Sequence, residues 1–91
     1  MGCVVKYKLR KDLSKVINGV TLYRIEYLKD VQHIKAGTVA GWLESVTNLN
    51  MCDDSLVCGE AQVCGKAQVC GEALVCGKAR VYGKARVYLA L

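Results

Sequence analysis

Five cysteines stand six residues apart, at Cys52, Cys58, Cys64, Cys70 and Cys76, with a sixth at Cys3, and His33 is the only histidine. Thiolate and imidazole are the groups that hold zinc, attack carbonyls and carry protons. Their arrangement points away from each of these roles. A zinc site gathers its ligands at one point, commonly from cysteines about two to four residues apart. A spacing of six on the three-sided coil derived below sends consecutive cysteines to different faces, at most two to a face. A metal would have to be shared between two chains. A disulfide between stacked strands is strained, because the ~4.8 Å spacing exceeds the usual Cβ separation. The plain reading is that cysteine serves as a small outward residue suited to a strand, and that all six are free thiols. A different chemistry is carried by Lys78, Arg80, Lys84 and Arg86, interleaved with Tyr82 and Tyr88 in a stretch with no acid. Cations among aromatics grip phosphates and stack bases.

The elements that must position these residues follow from an internal repeat. From Ser55 the chain reads SLVCGE, AQVCGK, AQVCGE, ALVCGK, ARVYGK and ARVYLA. The segment 49–54 keeps the same phase, with Met51 in the Val position. Val57, Val63, Val69, Val75, Val81 and Val87 never vary, and Ala precedes each of the last five by two residues. Ala-x-Val is a short strand whose first and third side chains share a face. The Gly and charged residue after it make a corner. A period of six does not trace a helical stripe, and each interior glycine would cost a helix ~1 kcal/mol. Three units close a triangle, so residues 18 apart stack, with Val and Ala inside and the Cys/Tyr position outside. Glu60 is then expected over Lys78.

Residues 1–48 do not share the repeat. Val4 to Leu9 alternates like an edge strand, and Asn18-Gly19 between two β-prone runs signals a tight hairpin. Thr21 to Leu28 continues as a strand with Tyr23, Ile25 and Tyr27 on one face. Trp42 is expected to plug the first coil.

The repeat resembles the hexapeptide-repeat left-handed β-helix, and the resemblance implies its handedness. Leu22-Tyr23-Arg24-Ile25, Leu28-Lys29-Asp30, Ile34 to Gly37, Gly41-Trp42-Leu43-Glu44-Ser45 and Asn48-Leu49 look like the N-terminal segment of bacterial and phage β-solenoid proteins. The Ala-Arg-Val-Tyr-Gly repeats of those proteins match Ala79 to Gly83. They sit by fold near the hexapeptide-repeat acyltransferases, typically trimers with a histidine base and an acyl carrier between subunits. This chain has His33 outside the repeat and uses Cys where Tyr is usual. The resemblance to phage and prophage proteins implies a mobile-element product, for example an anti-CRISPR-like inhibitor of a host defence or nucleic-acid-processing complex.

Ninety-one residues with a net charge of +5 and 53% apolar residues fit one small domain and exclude a disordered chain. The expected fold is all-β: one domain over 1–91, with a β-hairpin cap at 1–48 and a short single-stranded β-helix at 49–91. The expected role is non-enzymatic, a binding or scaffold protein that occludes or bridges a macromolecular partner. No catalytic residue, metal ligand or cofactor is assigned. Lys78, Arg80, Tyr82, Lys84, Arg86 and Tyr88 are the candidate contacts to a host protein, a protein–nucleic acid complex or nucleic acid directly. Val87, Leu89 and Leu91, an apolar last rung, are the candidate interface of a homodimer. A vestigial or trimeric acyltransferase is the enzymatic alternative. The N-terminal sequence carries no export signal, and no run approaches the ~20 apolar residues of a membrane span, so a cytoplasmic protein is expected.

Overall fold

The computed structural model describes residues 5–88. Strand β1 (Tyr7–Ile17) turns at Asn18-Gly19 into β2 (Val20–Tyr27). Both turn residues have positive φ, 52° and 80°, the signature of a type I′ turn, whose twist matches that of the strands it joins. The hairpin is antiparallel from Ile17↔Val20 to Tyr7↔Tyr27, with a bulge between Arg10 and Ser14. Strand β3 (Val39–Leu43) pairs antiparallel with β2. A 3₁₀ turn, Val46–Asn48, follows it, begun by a Ser45 capping box with Asn48. Six two-residue strands then occupy the repeat: β4 (Leu56–Val57), β5 (Gln62–Val63), β6 (Gln68–Val69), β7 (Leu74–Val75), β8 (Arg80–Val81) and β9 (Arg86–Val87).

Parallel partners in the repeat are 18 residues apart: Leu56↔Leu74, Gln62↔Arg80 and Gln68↔Arg86. The corners are four-residue turns, for example Ala67 N–H donating to the Cys64 carbonyl at 3.3 Å. Gly65 stands there at φ +68° while Lys66 keeps negative φ, as a type II′ turn requires. Any side chain at Gly65 would also set its Cβ 3.2 Å from the Gly83 backbone stacked beneath.

The architecture differs from the expected single-stranded, left-handed β-helix under a separate hairpin cap. The strands form one mixed five-stranded sheet, ordered β1-β2-β3-β5-β8, and two two-stranded sheets, β4-β7 and β6-β9, none of them closed. The physical reason lies in β3. One edge of it bonds antiparallel to β2 and the other parallel to β5. The hairpin therefore extends a sheet edge to edge instead of lying across its end. One apolar core crosses the 48/49 division: Tyr7, Ile25, Tyr27 and Leu43 pack with Leu56, Val57, Val63, Val69 and Val75.

Register also moves Trp42. It pairs with Gln62, whose side chain points outward, while Leu43 pairs with the buried Val63. Leu43 thus fills the interior place expected for Trp42, and the indole lies on the outer face. Glu60 likewise goes to Arg24, at 2.7 Å, and not to the expected Lys78.

At the upper end, side chains take the place of missing strands. The Tyr27 hydroxyl donates to the Val57 carbonyl and accepts from the Val57 N–H at 3.0 Å, satisfying both backbone groups of that residue. The Tyr7 hydroxyl shares its proton between the carbonyls of Val46 (2.9 Å) and Leu49 (2.6 Å). Asn48 donates to the carbonyls of Gly65 (3.2 Å) and Ala67 (2.8 Å). Lys6, wholly buried, is held by the Ser55 carbonyl at 2.6 Å, the Asp53 carbonyl at 3.1 Å and the Asp53 carboxylate at 3.6 Å. Burial presses its amine below the ordinary lysine range, against the pull of Asp53.

Candidate docking groove

Strand β2 is longer than the strand it leans on. Tyr23 is the last residue to pair with β3, at Leu43, and Val20 to Leu22 pair only with β1. Residues 15–22 therefore project as a two-stranded arm. Alternation along the arm puts Lys15, Ile17, Val20 and Leu22 on one face, since Lys15↔Leu22 and Ile17↔Val20 are opposed pairs. That face turns over the outer side of β5 and β8. The Lys15 amine lies 4.2 Å from the centre of the Trp42 ring, and the Arg24 guanidinium lies 4.3 Å from it. The Trp42 Nε1–H donates to Glu60 at 3.3 Å. The indole is thus clasped by two cations and a carboxylate at the root of the arm.

Between arm and sheet is a half-open groove of about 380 Å³. Ile17, Asn18, Val20 and Leu22 form the arm side, and Gln62, Cys64, Arg80, Val81 and Tyr82 the sheet side. Most of the lining is apolar. Arg80 supplies its one formal charge, and Tyr82, 68% exposed, stands at its margin.

Of the residues singled out in the sequence, Arg80 and Tyr82 come together here. Arg86 lies on β9, in a different sheet, beside Tyr88, whose hydroxyl raises the guanidinium pKa. Lys78 and Lys84 occupy exposed corner turns. Val87 is half-buried on the last described strand, and Leu89 and Leu91 lie outside the described residues. The cations near the N-terminus are largely engaged. Arg10 binds Asp12 (2.8 Å) and Glu26 (3.1 Å), Lys8 approaches Glu26, Lys15 covers Trp42, and Lys6 is buried.

Ile17, Asn18, Val20, Leu22, Gln62 and Cys64 were not legible as site residues. The Asn-Gly turn marks a hairpin, but an overhang depends on β2 outrunning β3, and the alternation of β2 alone does not show where β3 stops.

The cysteines are not uniform. Cys58, Cys64, Cys70 and Cys76 are free. Cys52 is disulfide-bonded, which corrects the expectation of six free thiols. Burial, with the Cys76 thiol beside it, pushes Cys58 up to about 11. Burial and then Glu44 raise Cys64. Both are therefore protonated and weakly nucleophilic near neutral pH. Among the described residues, no three His, Cys, Asp or Glu side chains converge to hold a metal ion. His33 is exposed in the turn closed by the Val31–Ile34 bridge. No helix among the described residues is long and apolar enough to cross a membrane.

No family model and no curated protein matches this chain. The link to hexapeptide-repeat acyltransferases and to phage proteins therefore rests on the sequence resemblance alone.

Proposed function

We propose that this chain is a non-enzymatic binding protein that occludes or bridges a macromolecular partner, and that the partner seats in the groove under the hairpin arm. The observation that carries this reading is the groove itself, a mostly apolar cleft with a single exposed cation, Arg80, among its lining residues. Such a surface offers apolar area for affinity and one charge for orientation. The thiol in its lining, Cys64, is raised in pKa by burial and Glu44, which suits packing better than attack.

Direct nucleic-acid binding has less behind it. Arg80 and Arg86 stand in separate sheets and Lys78 and Lys84 at corners, so the charge is a collar without a backbone-tracking stripe.

The test is capture from nuclease-treated host lysate by the tagged chain and by its Arg80→Glu and Tyr82→Ala variants, both at exposed positions. A stoichiometric protein retained by the parent chain and lost from Arg80→Glu supports the reading. Bait alone, or a partner indifferent to both substitutions, defeats it.

A further inference from the structure

The groove runs beside a strand that has room for a neighbour. Strand β8 is the last in the order β1-β2-β3-β5-β8, and β5 is its one partner among the described residues. Gln62 N–H donates to the Ala79 carbonyl (3.0 Å) and Cys64 N–H to the Val81 carbonyl (3.0 Å), so the groups of Ala79 and Val81 face β5. By alternation, the N–H and C=O of Arg80 face the opposite edge. An edge of this kind is a template for an added strand. Strands β7 and β9 end their sheets in the same way, but only β8 has the arm's apolar face beside it.

Charge decides what would be added. Residues 77–88 hold Lys78, Arg80, Lys84 and Arg86 and no acid. A second copy of the chain, joined end to end, would set these cations against their own counterparts. An acidic segment would meet them with opposite sign. A nucleic acid would also bring negative charge, but it has no amide ladder for Arg80 and no alternating apolar side chains for Ile17, Val20 and Leu22.

We infer that β8 takes an extended acidic peptide as a sixth strand, whose groove-facing row sets apolar side chains against the arm and one carboxylate on Arg80. This rests on the protein-binding reading above and names the partner's chemistry.

The probe is a fluorescein-labelled octapeptide, Glu-Val-Glu-Asp-Glu-Val-Glu-Val, whose even positions form one face with valines for the arm and an aspartate for Arg80, titrated against the 91-residue chain and followed by anisotropy. The expected result is saturable binding that weakens roughly tenfold with Arg80→Glu, whose melting temperature is unchanged, and as much when alternate peptide nitrogens are methylated. Amide exchange at Arg80 should slow in the complex. Three outcomes overturn the inference: no saturation below millimolar, equal binding of the methylated peptide, or preference for a thymidine oligonucleotide of the same charge. If the peptide fails while the lysate partner is still captured and still lost on Arg80→Glu, the extended acidic strand is wrong and the groove reading stands. If both fail, both fall.

Discussion

At the scale of single residues, this small protein spends its buried polar groups on backbone. Tyr27 answers both the N–H and the C=O of Val57 from inside the core. Removing its hydroxyl leaves two buried groups without partners, and Tyr27→Phe should cost ~1–3 kcal/mol in urea unfolding. Asp53 binds the N–H groups of Ser55 (3.0 Å) and Gly71 together with the Ser55 hydroxyl. Burial works to raise its pKa, but those hydrogen bonds and the Lys6 charge outweigh it, so the folded value lies below the ordinary 3.8. The sign follows from a depressed acid. Its stabilisation is complete above the unfolded pKa and is lost as pH falls through the folded one. An acid titration followed by circular dichroism should show Asp53→Asn less stable than the parent at pH 7, with the gap closing below about pH 4.

At the scale of elements, the repeat's corners and the arm behave differently. Gly65 and Gly77 both have positive φ, 68° and 69°, but a Cβ on Gly65 crowds Gly83 and one on Gly77 meets open space. Gly77→Ala should therefore cost ~1–2 kcal/mol for backbone alone and Gly65→Ala more. Equal urea midpoints would contradict the stacking of these corners. These corners were readable in the sequence because a Gly every six residues and an invariant Val fix period, strand phase and the 18-residue offset together. The hairpin was readable because Asn18-Gly19 suits few other structures. What joins the two was not. The seam at β3 depends on which neighbour takes each edge of one five-residue strand, and no local pattern in Val39 to Leu43 records that choice. Leu43 and Trp42 exchange roles through a one-residue difference in register, which is enough to swap the faces of a strand. The groove was half legible: Arg80 and Tyr82 stood out by charge and aromaticity, whereas Ile17, Val20 and Leu22 resemble any apolar strand residues.

At the scale of the molecule, the two ends are unlike. Tyr7, Tyr27, Asn48 and Lys6 seal the upper end with side-chain hydrogen bonds. Towards the other end burial fades: Val75 is fully buried, Val81 nearly so and Val87 only half. Amide exchange should follow this gradient, slow at Leu43 and Val63 and fast at Leu74, Arg80 and Arg86, whose N–H groups lie on outer edges. Uniform protection would mean that something covers those edges.

Trp42 is the chain's one tryptophan, and it sits where the arm meets the sheet. One cation on its ring, Lys15, belongs to the arm, while Arg24 and Glu60 belong to the body that stays behind. Lifting the arm would bare one side of the indole to water and move its emission to the red. Filling the groove with the arm in place would leave Lys15, Arg24 and Glu60 on the indole, which is not among the groove's lining residues, and so leave its colour unchanged. The protein thus carries its own label-free optical gauge, able to tell a guest that fits beneath the arm from one that must pry it open.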